Sequence, residues 1–195
     1  MKTQVTIISR TLVISAICLM FVGTSCAQKK ENTTENSSAT EKVKAPKIDI
    51  HTAAISGDLE AIKQHIKAGS NLNEKEAFGG SSPLITAALF NKPEVVKALI
   101  EAKADINQVN NDGSTALHSA AYFCNTEVVE ILLANNADKT IKNNFKQTAL
   151  ESISGPFSEV KGIYEMFGKQ LGPMGLKVDL EHIEKTRPVI AEMLR

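Results

Sequence analysis

The stretch Thr115–Asp138, TALHSAAYFCNTEVVEILLANNAD, decides the fold. In its first half Leu117, Ala120 and Ala121 fall at i, i+3, i+4 spacing; in its second Val128, Val129, Leu132 and Leu133 share one helical face. Asn125, Thr126 and Glu127 lie between the halves and offer N-cap chemistry with an acid in the first turn. Asn135 and Asn136 then supply residues that tolerate the left-handed conformation of a helix stop. The spacing predicts a helix–turn–helix. Two helices this short cannot bury both apolar faces alone, so the unit needs neighbours.

Those neighbours are in the chain. SPLITAALFNKPEVVKALIEAKAD, at 82–105, repeats the stretch with Ser82 in the place of Thr115, and DIHTAAISGDLEAIKQHIKAGSN, at 49–71, repeats it again. TALESIS, at 148–154, opens a fourth copy with Thr148 in that place. Apolar positions coincide: Ile62, Val96 and Val129, then Ile66, Ile100 and Leu133. A constant period built from paired amphipathic helices, here about 33 residues, marks a stacked solenoid.

The unit resembles the ankyrin repeat. Gly113, Thr115, Leu117, His118, Ala120 and Ala121 match its pattern in the third copy, and Gly80, Ser82, Pro83, Leu84, Ala87 and Ala88 in the second. The first copy keeps His51, Ala53, Ala54, Gly57 and Gly69 without the Thr-Pro pair, and the fourth keeps Thr148, Ala149 and Leu150 before departing. The resemblance implies an all-α ankyrin-repeat solenoid with first helices on a concave side, second helices outside, and projecting fingers. Repeats are expected at about 47–78, 79–111 and 112–144, with a fourth from 145 interrupted by an insertion at about 155–183. It also implies a protein–protein interaction module.

The whole chain of 195 residues is 43% hydrophobic and 23% charged, with no formal net charge. A neutral chain without a basic stripe argues against nucleic acid as a partner. The segment 1–25 differs in kind. Lys2 and Arg10 precede an apolar run from Thr11 to Gly23, followed by small residues, which is the layout of a secretory signal peptide. Cleavage after Ala27 fits a small-x-small rule; alternatively, Ser25-Cys26 resembles a bacterial lipoprotein signal, with Gly23 where Leu or Val is usual. The polar segment that follows, Gln28 to Ala45, lacks the apolar content to fold and suits a tether, which favours lipidation of Cys26. The expected place is therefore the periplasm or the cell-envelope membrane, with the lipid as the only membrane contact and 46–195 as the folded domain.

Residues that could carry chemistry read mostly as structure. The resemblance implies that His51 and His118 hydrogen-bond within their repeats; the position is Ile85 and Glu151 in the other copies. His65 is expected at a partly exposed core edge, and His182 on a solvated helix face. Cys124 stands where the first copy has Gly57 and reads as an unremarkable free thiol, with a redox switch as the alternative; Lys103 stands where the others have Gly69 and Asn136, so it faces left-handed backbone. No Ser-His-Asp order, paired Cys motif, phosphate loop or HExxH is present. No enzyme activity, cofactor or metal is expected.

Leu89 and Phe90, then Tyr122 and Phe123, are apolar residues the repeat does not need. They are candidate partner anchors on the concave face, unless one of each pair packs under a finger; Phe78 and Phe145 share that ambiguity. Asn110 and Asn143 on the fingers complete the candidate set. After Gly155-Pro156 the period breaks, and Phe157, Val160, Ile163, Tyr164, Phe167 and Leu171 predict a further helix. Val189, Ile190, Met193 and Leu194 then reproduce the apolar face of a second repeat helix. The insertion is expected to cap the solenoid, or else to form part of a partner site. The expected function is binding of another protein by a monomer; the alternatives are an accessory or regulator of one exported enzyme, and an enzyme with its site in 155–183.

Overall fold

The computed structural model describes residues 44–195. Residues 1–43 lie outside it, and with them the expected signal segment, Cys26 and all but the end of the tether. The described chain is helical, without strands: α1 (Ile50–Ser56), α2 (Leu59–Lys67), α3 (Pro83–Leu89), α4 (Pro93–Glu101), α5 (Ala116–Tyr122), α6 (Thr126–Ala134), α7 (Ala149–Ile153), α8 (Phe157–Leu171) and α9 (Leu180–Leu194). The helices form two layers. First helices α1, α3, α5 and α7 stack side by side, with α2, α4 and α6 in the second layer. Helix α9 packs on α7 and α6, the place of a fourth unit's second helix.

The first helices begin on matched caps. Asp49, Ser82, Thr115 and Thr148 each accept from backbone N–H groups of the first turn, which satisfies donors that the helix leaves open. Ala53, Ala54, Ala87, Ala88, Ala120 and Ala121 are all 0% exposed, because only a methyl fits where two first helices touch. In the second layer Ile62, Val96 and Val129 are equally buried, each contributing ~1.5–3 kcal/mol. Second helices stop on left-handed residues, Gly69 at φ 71°, Lys103 at 68° and Asn136 at 61°. First helices are followed by Gly57, Asn91 and Cys124 in the same conformation.

Three expectations change. Asn125 does not cap α6 with its side chain; its amide donates instead to the Ala88 and Leu89 carbonyls, at 2.8 and 3.2 Å, and ties two repeats together. His65 is buried rather than at an exposed edge, with Nε2 donating to the Ile48 carbonyl at 2.9 Å and Nδ1 beside the Ser70 hydroxyl at 3.0 Å. Val189 points to solvent, 53% exposed, while Ile183, Arg187, Ile190, Ala191 and Leu194 face the core. The register of α9 is thus set by its own first turns as well as its last.

Candidate functional site

Each finger is closed from within by one side chain. Asn110 accepts from the backbone of Asp112 and Ser114, and Asn143 from Phe145 and Gln147. Glu76 does the same for Phe78, Gly79 and Ser81. Burial pushes the Glu76 carboxyl up, but the N–H groups of Ser81, Phe78 and Gly79 and the nearby His51 outweigh it and hold it below its ordinary value. Asn110 and Asn143 therefore spend their side-chain oxygens on turn geometry. Consecutive fingers are also joined: Asn111 N donates to the Gly79 carbonyl and Asn144 N to that of Asp112, both at 2.9 Å. Gly80 sits at φ 66° under the Asn111 amide, which a Cβ would strike. What the turns leave outside is aromatic. Phe78 is 96% and Phe145 72% exposed.

Of the apolar pairs expected as partner anchors, Tyr122 and Phe123 meet the chain's own α8. Phe90 and Phe123 are buried. The Tyr122 ring stacks on Tyr164 with centroids 4.6 Å apart, and Phe123 meets Phe167 edge-on at 5.6 Å. Leu89 and Tyr122 keep partial exposure at the border of this contact. Tyr122 and Phe123 fasten the C-terminal segment to the end of α5, because their rings would otherwise stand in water, while Leu89 and Phe90 face Leu171 and Met174 across a cavity. In the sequence the two aromatic groups stand apart, with nothing local to link them. The available signal was their match: unexplained rings at Tyr122 and Phe123, and at Tyr164 and Phe167 one helical turn apart.

Arg187 locks that segment from behind. Although buried, it has no ion pair among the described residues; it donates to the Tyr164 hydroxyl at 3.0 Å and the Gly155 carbonyl at 2.9 Å. The latter lies just past α7, where unpaired carbonyls favour a cation. Arg187 was not legible in the sequence, because an arginine before a proline in a helix carries no signature of burial.

The histidines divide. His118 Nε2 donates to the Gln147 carbonyl at 3.1 Å, and Nδ1 accepts from the Thr115 hydroxyl at 2.9 Å. Burial holds its pKa below the ordinary value. His51, at the matching position of the first repeat, has no partner for either ring nitrogen. His182 is exposed and shares a cavity of about 410 Å³ with Asp179 and Cys124. That trio does not make a nucleophilic site. Burial pushes the Cys124 thiol up to about 11, and its Sγ donates to the Ile183 carbonyl at 3.6 Å. Asp179 is committed to capping α9 through His182 N. Among the described residues no cluster of three or more His, Cys, Asp or Glu could hold a metal. None of the described helices is long and apolar enough to cross a membrane.

Comparison with known proteins agrees with this geometry. Residues 50–143 match the family model for ankyrin repeats, in three copies. The human DNA-binding protein RFXANK is 40% identical over 58 residues, 30% of this chain and 22% of that protein. Human protein phosphatase 1 regulatory subunit 27 is 33% identical over 64 residues, 33% of this chain and 41% of that protein. Chicken inversin is 32% identical over 62 residues, 32% of this chain and 6% of that protein. The chain spans less than half the length of each of these relatives. It carries three ankyrin repeats, a type of unit that generally mediates protein–protein interaction.

Proposed function

We propose that this ankyrin array is a non-catalytic protein-binding module of a bacterial cell envelope, a monomer exported by its segment 1–25 and held by a lipid on Cys26. The observation that carries the binding reading is the pair Phe78 and Phe145. Two large rings stand free on turns whose backbones are pinned to their neighbours. Aromatic anchors on a rigid scaffold bind at low entropic cost. The partner surface is then the finger tips and the part of the first-helix face that α8 leaves open, with Leu89 and Tyr122 at its border. A neutral formal charge supports a protein partner over nucleic acid, whatever the name of one relative says of that relative.

A narrower form of the same reading is an accessory or regulator of one exported enzyme; one relative is named as a regulatory subunit of a phosphatase. Affinity capture from envelope extracts, with the whole protein beside a Phe78→Ala, Phe145→Ala variant, tests the proposal. A captured protein lost from the variant supports it. Equal capture by both would remove the finger tips from the binding surface.

A further inference from the structure

One cavity beside the proposed partner surface, with Phe78 and Leu89 on its rim, holds a polar group that protein binding does not use. It lies between the first finger, the ends of α1 and α3, and the end of α8, with a volume of about 560 Å³. That is within the range of small-molecule sites, roughly 300–1,000 Å³. Ile55, Leu89, Phe90, Leu171 and Met174 supply apolar walls, the exposed Phe78 lies at the rim, and His51 and Glu76 are the titratable groups among them.

His51 distinguishes this cavity from a packing gap. Both its ring nitrogens are buried without a hydrogen-bond partner. In the third repeat the equivalent His118 finds a hydroxyl on the Thr115 cap and a carbonyl on the next finger. The first helix instead starts on Asp49, whose carboxylate is turned to the backbone of His51 and Thr52 and to the Thr52 hydroxyl. No hydroxyl is left for the ring. Ser81 O accepts from Glu76 N in this finger, as Gln147 O does from Asn143 N, but the His51 ring does not reach it as His118 reaches Gln147 O. An imidazole carries a polar group at each ring nitrogen, and burying both unpaired is costly.

We propose that the cavity is a binding site for an uncharged, mainly apolar small molecule bearing one hydroxyl or amide, which pairs with His51. Charge selects against anions. The Glu76 carboxylate lies at the same cavity and is held ionised by three N–H groups. An extended peptide is disfavoured as occupant because the finger carbonyls it would pair with are taken: Gly79 O by Asn111 N, and Phe78 O by the Asn111 amide.

Calorimetric or NMR titration of the full chain with p-cresol, toluene and benzoate tests this. The hydroxyl should make p-cresol bind about 3- to 10-fold more tightly than toluene, and benzoate should bind least. His51→Phe keeps a ring in place and should erase the preference for p-cresol while toluene still binds. In the wild-type chain, independent of any variant, p-cresol should shift the ring nitrogen signals of His51 and leave those of His118. Equal affinity for p-cresol and toluene, a preference that survives His51→Phe, or an unmoved His51 signal would overturn the proposal. So would absence of saturable binding by every probe, which would return the cavity to a partner's side chain.

Discussion

The Tyr164 hydroxyl donates to the Tyr122 carbonyl at 2.7 Å, joining α8 to the end of α5. The same oxygen accepts from Arg187 on α9, so one fully buried tyrosine ties three helices. The C-terminal segment is therefore fastened by directional bonds as well as by stacked rings.

Tyr164→Phe keeps the ring and removes the bridge, leaving the Tyr122 carbonyl and the Arg187 guanidinium each short of a partner. Stability should fall by about 1–3 kcal/mol, read from urea unfolding. Tyr164→Ala also opens a cavity and should cost about 3–5 kcal/mol. No measurable loss in the first variant would mean that water replaces the hydroxyl without cost.

Truncation after Ser154 removes α8 and α9 and uncovers Phe90, Phe123, Ile153 and the α6 face. Several buried side chains at ~1.5–3 kcal/mol each compare with a total of only ~5–15 kcal/mol. The 46–154 fragment should aggregate or melt far below the full domain, whereas removal of the tether at 28–45 should change little. A fragment melting like the whole domain would show that the segment is no cap.

His118 gives stability a pH dependence above the carboxylate range. Its folded pKa is depressed below the ordinary 6.5, mainly by burial. The unfolded chain therefore binds more protons at mildly acid pH, and stability present above 6.5 is lost as pH falls below it. Asp49 and Glu76 are held below 3.8 and 4.5, so their contributions are lost only at more acid pH. Urea midpoints between about pH 5 and 7 should decline toward acid, and the slope should flatten in His118→Asn. A slope unchanged in that variant would assign the effect elsewhere.

Lys103 holds φ at 68° at the end of α4, where the first repeat has glycine. Lys103→Gly relieves that backbone cost but adds unfolded-state entropy, so the net gain should be about 0.5–1 kcal/mol. Differential scanning calorimetry reads it as a higher Tm; a lower Tm would show that the lysine side chain stabilises the turn.

If Cys26 is lipidated, mature protein should sediment with membranes, and Cys26→Ala should release it or leave it unprocessed. Soluble mature protein beginning at Gln28 would defeat the anchor and favour cleavage after Ala27.

The repeat architecture was legible in the sequence for a local reason. Paired alanines, matched apolar faces, and left-handed stops at Gly69, Lys103 and Asn136 all act within one unit, and repetition multiplies the signal; the caps at Asp49, Ser82, Thr115 and Thr148 were found only in the structure. The candidate site was much less legible. Asn110 and Asn143 look like free finger residues until their amides are found closing turns, and Tyr122 and Phe123 look like anchors until Tyr164 and Phe167 cover them.

By itself, then, the sequence determined a periodic helical array, its core alanines and its broken end. Only the tertiary structure decided which apolar residues remain exposed, that Arg187 is buried, and that His51 lacks the partners His118 has. The physical reason is range. Helix caps and apolar faces are set by residues three or four apart, whereas the partial covering of Tyr122 depends on the ring of Tyr164, far along the chain, whose approach no local pattern encodes.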